Sequence, residues 1–85
     1  MNCKQVLREV MARAGVTGAG LGRKLGLARS TINRTLMTDG MTIDTFLKYV
    51  NALGGTVVVE WTDPGDARKK FRWEVDNAVH IEREV

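Results

Sequence analysis

A chain of 85 residues forms one domain with a modest core, so its length favours added stability from oligomerisation. Its single cysteine, Cys3, excludes an intramolecular disulfide, which predicts that the protein resides in a reducing cytoplasm. No apolar run approaches the ~20 residues that span a bilayer. The net charge of +3 is uneven, because residues 1–53 hold eight Lys or Arg against three Asp or Glu, whereas residues 54–85 hold five against seven. This asymmetry predicts a polyanionic partner for the N-terminal part, with scattered solvated charge as the alternative.

The first helix is predicted over residues 2–14. Its apolar residues recur at helical spacing on one stripe: Val6, Leu7, Val10, Met11 and Ala14. Asn2 has the side chain of an N-cap, and Gly15 ends the helix where a left-handed conformation costs glycine least.

A second, short helix is predicted over residues 18–25, with Thr17 as its N-cap. It is rich in glycine, and each glycine costs up to about 1 kcal/mol relative to alanine in a helix interior. The helix therefore depends on Leu21 and Leu25 docking into the core, and Gly22 permits a close backbone approach to the next helix. The glycines match no phosphate-binding loop and follow no strand.

Two further helices are predicted over residues 29–37 and 43–53. The third places Ile32 and Leu36 inward, and a turn over residues 38–40 follows it. Thr42 caps the fourth helix, and two glycines end it. The inward stripe of the fourth helix consists of Ile43, Phe46, Leu47, Val50 and Leu53.

A strand pattern follows. Apolar and polar residues alternate over residues 56–62 and 71–76, and residues 63–69 form the loop of a hairpin. The apolar members of this alternation are Val57, Val59, Trp61, Phe71, Trp73 and Val75. Residues 77–85 fit either a third strand or a short helix.

The strongest functional signal lies in residues 17–36. A tight turn at Gly26 joins two short helices, and the second begins with a polar, basic turn. Two short helices at a fixed angle with an exposed polar leading edge are typical of the helix-turn-helix reader of the DNA major groove, and the alternative is an αα-hairpin that only packs. The reader is favoured by the polar residues on either side of apolar Ile32, namely Arg29, Ser30, Thr31 and Arg34.

Two stretches of the chain follow a family pattern. The first comprises Thr17, Leu21, Leu25, Gly26, Leu27, Ser30, Thr31, Ile32, Asn33 and Arg34, with Gly22 in the place of the usual alanine and Ala28 in that of the usual serine. The second comprises Thr42, Ile43, Thr45, Phe46, Val50, Ala52, Leu53 and Gly54. Together they resemble the DNA-binding domain of the phage-repressor and Cro type, the XRE family. The resemblance implies a mainly α fold: a four-helix, lambda-repressor-like helix-turn-helix domain over residues 1–54, followed by a β-hairpin extension over residues 55–85 with two strands or three.

The resemblance also implies which residues contact double-stranded DNA. The residues expected to face the major groove and read bases are Arg29, Ser30, Thr31 and Arg34. Because the guanidinium fork matches O6 and N7 of guanine, we expect at least one G·C pair in each half-site. Contacts with the DNA backbone are expected from Thr17, Gly18, Ala19, Arg23, Asn33 and Thr38. For Asn33 an adenine contact fits equally well, and for Arg23 the alternative is a solvated helix face.

A single reader of this size gives a small interface, so we expect a homodimer on a pseudo-palindrome, with its recognition helices about 34 Å apart. A two-stranded hairpin is marginally stable alone, and pairing across a two-fold axis would bury its apolar residues. The expected dimerisation residues are Val57, Val59, Trp61, Phe71 and Trp73. The alternative is that these side chains cover the helical core of their own chain.

These features predict a dimeric, sequence-specific transcriptional regulator, a repressor of phage or mobile-element type in the cytoplasm of a bacterial or phage-infected cell. The alternatives are an antitoxin-type module, which binds a toxin protein through its C-terminal strands and regulates its own promoter, and a helical domain that never touches DNA. We expect no catalytic residues, metal site, cofactor or membrane contact. His80 and Cys3 lack the neighbours that a metal site or a nucleophile needs.

Overall fold

The computed structural model describes residues 1–76, which form four helices and a two-stranded antiparallel sheet. The elements are α1 (Cys3–Ala14), α2 (Gly18–Leu25), α3 (Arg29–Met37), α4 (Ile43–Ala52), β1 (Val57–Thr62) and β2 (Lys70–Val75). The mainly α architecture and the hairpin are confirmed, and α4 ends one residue before the predicted end. The third strand or short helix expected over residues 77–85 lies outside the described residues. No helix in residues 1–76 has the length and apolar character needed to cross a membrane.

Side-chain caps begin three of the four helices, as the sequence predicts. The Asn2 side chain accepts a 2.9 Å hydrogen bond from the Gln5 N–H, and the Gln5 side chain accepts a 2.8 Å bond from the Asn2 N–H. This reciprocal pair is a capping box at the start of α1. Thr17 and Thr42 cap α2 and α4 by accepting from the backbone N–H three residues on. Ala28 precedes α3 and offers no side-chain acceptor, so α3 begins without this stabilisation.

The core lies where the four helices meet. Leu7 of α1, Leu21 of α2 and Ile32 of α3 are fully buried. The other buried members of this cluster are Met11, Leu36, Tyr49 and Val50. Full burial of such a side chain contributes about 1.5–3 kcal/mol. Burial of Leu21, with Leu25 packed against the cluster, holds the glycine-rich α2 in place, as predicted.

The predicted apolar stripes are wrong at three residues. Ala14 is exposed, because it lies in the last turn of α1, outside the part that the other helices cover. Ile43 is 58% exposed, because the first turn of α4 begins before the helix reaches the core. Tyr49 is only 2% exposed, although it was not among the predicted core residues. It lies three residues after Phe46 and four before Leu53, so helical spacing could have placed it on the same stripe.

Antiparallel pairing of β1 and β2 gives the hairpin one apolar and one polar face. The facing pairs on the apolar side are Val57–Val75, Val59–Trp73 and Trp61–Phe71. The pairs on the other side are Val58–Glu74, Glu60–Arg72 and Thr62–Lys70. The predicted alternation along both strands is therefore confirmed, and it separates every charged strand residue from the aromatic ones.

Candidate nucleic-acid interface

The backbone of the turn between α2 and α3 lies close against Gly22 of α2. Gly26 adopts the left-handed conformation at φ +70°, and the Leu27 N–H donates a 2.8 Å hydrogen bond to the Gly22 carbonyl. A Cβ atom at Gly22 would lie 2.5 Å from the Leu27 carbonyl oxygen, a separation that real Cβ atoms essentially never show. Gly22 therefore permits the close approach that the sequence predicts, although the neighbour is the turn before α3 and not α3 itself. This contact restricts the direction in which α3 leaves α2.

One side of α3 is buried and the other is exposed. Ile32 is fully buried and Leu36 is 7% exposed, whereas Thr31 lies half-buried at the edge of the core. Since successive residues are about 100° apart around a helix, Ser30 and Arg34 point most nearly away from the buried pair. The polar residues that α3 presents, here called the α3 face, are Arg29, Ser30, Thr31, Asn33 and Arg34. The structure thus brings all four predicted base-reading residues together on one helix.

The cations of the α3 face have no carboxylate partner within residues 1–76. The ion pairs in this part of the chain are Lys4–Asp39, Arg13–Glu9 and Arg68–Asp66. Arg29 and Arg34 are therefore exposed without a neutralising acid, as are Arg23 and Lys24 in the last turn of α2. Exposed cations on neighbouring elements create a positive potential that attracts a polyanion such as the phosphate backbone of DNA.

The first turn of α2 lies beside α3. The Thr17 hydroxyl accepts a 3.0 Å hydrogen bond from the Gly20 N–H and keeps its own proton for another acceptor. Gly18 and Ala19 occupy helix positions whose N–H groups have no intrahelical acceptor. Asn33 Oδ1 lies 3.0 Å from the point that a Cβ of Gly18 would occupy. Four of the six predicted backbone contacts therefore form one group.

The other two predicted backbone contacts lie apart from that group. Arg23 is exposed in the last turn of α2. Thr38 follows the last residue of α3, and its hydroxyl donates a 2.7 Å hydrogen bond to the Arg34 carbonyl. The Thr38 hydroxyl could donate to a phosphate only if this hydrogen bond breaks. A contact between Thr38 and the DNA backbone therefore stays a prediction.

Sequence reasoning missed two residues near the end of α3. Arg8 of α1 donates a 3.1 Å hydrogen bond to the Leu36 carbonyl, 28 positions away. This bond satisfies one of the carbonyls that a helix leaves unpaired and places a cation at the negative end of its dipole. No local signal reveals a contact of this separation. Met37 is 75% exposed and lies three residues after Arg34, so helical spacing could have identified it as an extension of the α3 face.

An acid lies next to the α3 face and is offset by a lysine. Asp39, in the turn after α3, lines the same surface depression as Arg34. The Lys4 ammonium donates a 2.7 Å hydrogen bond to the Asp39 carboxylate. This hydrogen bond and the charge of Lys4 hold the pKa of Asp39 below its ordinary value. Lys4 thus offsets the negative charge beside Arg34 and ties the turn to α1.

The residues predicted for dimerisation lie along the apolar side of the hairpin. Val57 packs against the helical core. The other four, here called the apolar hairpin face, are Val59, Trp61, Phe71 and Trp73, with exposed fractions of 48, 46, 44 and 52%. The three aromatic rings form a row, with centroids 5.7 Å apart for Trp61–Phe71 and 5.8 Å apart for Phe71–Trp73. Within residues 1–76, the alternative that these side chains cover their own helical core is wrong for all but Val57.

The described part of the chain, residues 1–76, contains no group of three His, Cys, Asp or Glu side chains placed to hold a metal ion. No protein-family model, curated protein or solved structure matches the chain significantly.

Proposed function

We propose that this chain is a sequence-specific, double-stranded DNA-binding regulator of the phage-repressor and Cro type, in which α2 and α3 form a helix-turn-helix. The observation that carries the proposal is the α3 face, whose arginines have no acidic partner within residues 1–76. The tight contact between Gly22 and Leu27 orients that face relative to α2. Such a surface offers hydrogen-bond donors and positive charge to a groove lined by base edges and phosphates.

Each part of the interface has a distinct role in this proposal. Arg29 and Arg34 read guanine through paired hydrogen bonds to O6 and N7, and Ser30 and Thr31 contact neighbouring bases. Ser30 and Arg34 are four residues apart, about 6 Å along the helix axis. This separation corresponds to about two base pairs at ~3.4 Å each. The first turn of α2, with Gly18 at its start, donates to a phosphate and sets the register.

Two copies bind a pseudo-palindromic operator in this proposal and repress by occluding a promoter. A single module of this kind covers only about 600–1,000 Å² of protein surface on DNA. Two half-sites one helical turn apart, about 34 Å, double the contacts and require a two-fold protein dimer. The apolar hairpin face supports this arrangement, because exposed apolar patches mark protein–protein contacts.

Selection from a random duplex library, followed by footprinting on the selected sequence, tests the proposal. We expect a protected site with two-fold symmetry, bound at least about 10³-fold more tightly than unrelated duplex at physiological salt. Affinity for both duplexes should fall as salt is raised, since phosphate contacts release counterions. Weak binding of equal strength to selected and unrelated duplexes would contradict a sequence-specific regulator.

Two arginines provide a matched pair of variants for base reading. Arg34→Ala and Arg13→Ala each remove one exposed positive charge, but only Arg34 lies on the α3 face. We expect Arg34→Ala to lose about 1–3 kcal/mol on the selected site and to relax the preference at one base pair. Arg13→Ala should bind like the parent, and Arg23→Ala should weaken all sequences alike. A loss for Arg34→Ala that is equal on every sequence would reassign Arg34 to the DNA backbone.

A second function, an antitoxin-type module, is favoured by the exposure of the apolar hairpin face. In that function a toxin protein docks on the hairpin, and the α3 face serves only to regulate the promoter of the pair. Mixing the purified chain with the product of a neighbouring gene discriminates the two. A stable complex that silences the neighbour's activity supports the antitoxin, and a regulator alone gives no complex.

A further inference from the structure

The exposed side of α3 continues beyond Arg34 to Met37. With Ser30 as the reference, helical spacing places Arg34 at about +40° and Met37 at about −20° around the helix axis. Met37 is 75% exposed, the largest exposed fraction of any large apolar side chain in the helices of residues 1–76. Because so little of this side chain is buried, the core does not account for an apolar residue at this position.

Two side-chain hydrogen bonds hold the end of α3 that carries Met37. Arg8 donates a 3.1 Å bond to the Leu36 carbonyl, and the Thr38 hydroxyl donates a 2.7 Å bond to the Arg34 carbonyl. The last four carbonyls of a helix have no intrahelical partner, and these bonds satisfy two of them. The backbone of Met37 is therefore held in helical geometry up to the end of α3.

The surface beside Met37 is more apolar than the rest of the α3 face. Met37 lines a shallow depression of about 340 Å³ between α1 and α3, together with the buried residues Met11 and Leu36. The other side chains that line it are Arg8 and Asn33. The α3 face thus changes along the helix, from hydroxyl and guanidinium groups in its first turns to a thioether in its last.

The chemistry of methionine restricts what Met37 can recognise on DNA. Its side chain has no hydrogen-bond donor, its sulfur is a weak acceptor, and it has no charge to attract a phosphate. The base edges in the major groove present hydrogen-bonding atoms and one apolar group, the C5 methyl of thymine. A long, unbranched thioether adapts its shape to an apolar neighbour. The thymine methyl is therefore the group in the groove that matches Met37.

We propose that Met37 reads a thymine through its C5 methyl group and so adds one T·A pair to the sequence that α3 recognises. This inference rests on the proposed function, because it requires α3 to lie in the major groove. Met37 lies three residues after Arg34, about 4.5 Å along the helix axis, which corresponds to one or two base pairs at ~3.4 Å each. The thymine therefore lies within about two base pairs of the guanine that Arg34 reads, on the side away from the base that Ser30 contacts.

Replacement of single thymines by uracil in the selected DNA site tests this inference, because uracil lacks only the methyl group. The guanine that Arg34 reads is identified first, as the base pair at which Arg34→Ala relaxes the preference. Uracil in place of the thymine beside it should raise the dissociation constant about fourfold for each half-site changed, the effect expected from one methyl-sized group that is no longer buried.

Met37→Leu and Met37→Gln provide matched variants. Methionine, leucine and glutamine have nearly equal helix propensities, and the exposure of Met37 leaves the core unchanged by either substitution. Met37→Leu keeps an apolar side chain and should retain the preference for thymine over uracil, whereas Met37→Gln should bind both duplexes alike. Val58→Gln changes an exposed apolar residue outside α3 and should discriminate like the parent. Circular dichroism should show the same helical content in all four proteins.

Three outcomes would overturn the inference. The first is a selected site without thymine within two base pairs of that guanine, and the second is equal affinity of the parent for thymine and uracil there. The third is a preference for thymine that Met37→Gln retains, because the methyl contact would then belong to another side chain, such as Thr31.

The proposed function and this inference fail in different ways. If the random library yields no preferred site, both fail. If a symmetric site is selected and Arg34→Ala relaxes one base pair, but uracil substitution changes nothing, the proposed function stands and only the role of Met37 is refuted.

Discussion

Gly20 and Gly22 lie two residues apart in α2. Replacing Gly20 with alanine should stabilise the fold, whereas replacing Gly22 with alanine should destabilise it. Alanine is favoured over glycine by up to about 1 kcal/mol in a helix. At Gly20 the added Cβ would meet Thr17 Oγ1 at 3.4 Å and Val16 Cγ1 at 3.5 Å, which are ordinary van der Waals contacts. We therefore expect Gly20→Ala to raise the free energy of unfolding by about 0.5–1 kcal/mol.

The methyl group that alanine would add at Gly22 meets the backbone of Leu27. Its Cβ would lie 2.5 Å from the Leu27 carbonyl oxygen, whereas ordinary contacts begin at 3.4 Å, so the turn must open. Overpacking of this kind costs about 1–3 kcal/mol. Opening the turn also strains the hydrogen bond from Leu27 to Gly22, which contributes about 0.5–1.5 kcal/mol. After the gain in helix propensity, Gly22→Ala should lower the free energy of unfolding by about 2 kcal/mol.

Urea unfolding of the parent and both variants measures this difference. Protein concentration must be equal in all samples, because self-association makes the midpoint depend on it. The midpoints should fall on either side of the parent, and Gly22→Ala should also weaken binding to the selected DNA site by changing the direction of α3. An unchanged or raised midpoint for Gly22→Ala would refute the reasoning. It would show that the α2–α3 turn opens without cost. The family pattern, which places alanine at this position, would then describe the site better than the steric argument.

Three further predictions concern caps and charge. Thr17→Ala and Thr42→Ala each remove an N-cap, so each should lower the free energy of unfolding by about 1 kcal/mol, measured by thermal unfolding. Only Thr17→Ala should also weaken DNA binding. Equal DNA affinities of the two variants would remove Thr17 from the interface. Ala28→Ser supplies the missing cap of α3 and should raise the free energy of unfolding by about 0.5–2 kcal/mol, seen as a higher urea midpoint; no gain would show that the hydroxyl does not reach the helix. Because Lys4 lowers the pKa of Asp39 in the folded state, the pair stabilises the fold above the unfolded-state pKa, and this contribution is lost as pH falls through the folded-state pKa. Asp39→Asn should therefore be less stable than the parent at pH 7 and equally stable near pH 2, and a difference that is constant with pH would contradict this.

Local signals were sufficient for the helices and strands. Thr17 and Thr42 cap helices that begin where their side chains predict, and Gly15 and Gly26 end helices in the left-handed conformation. Such signals act within a few residues, so they can be recognised without knowledge of packing. The errors at Ile43 and Ala14 occurred because periodicity predicts a direction around the helix and not how much of its length the neighbouring helices cover, whereas buried Tyr49 fits the helical spacing of its stripe and was missed.

The candidate site was predicted unevenly for the same reason. The exposure of Ser30 and Arg34 follows from helical spacing around buried Ile32, whereas Arg29 lies three residues before Ile32, on the same side by spacing, and is nevertheless exposed at the start of α3. The contacts that secure the end of α3 and the turn after it do not follow from any pattern, because Arg8 and Leu36 are 28 positions apart, and Lys4 and Asp39 are 35 positions apart.

The sequence by itself determined the order of the elements, the apolar side of each and the polar composition of the α3 face. These properties depend on residues that are neighbours along one helix or strand. Only the tertiary structure decided that a Cβ at Gly22 would meet the Leu27 carbonyl and that four apolar residues of the hairpin stay about half exposed within residues 1–76. Both depend on how separate elements approach one another. That approach is set by the summed packing of the whole core, and no single segment of the chain encodes it.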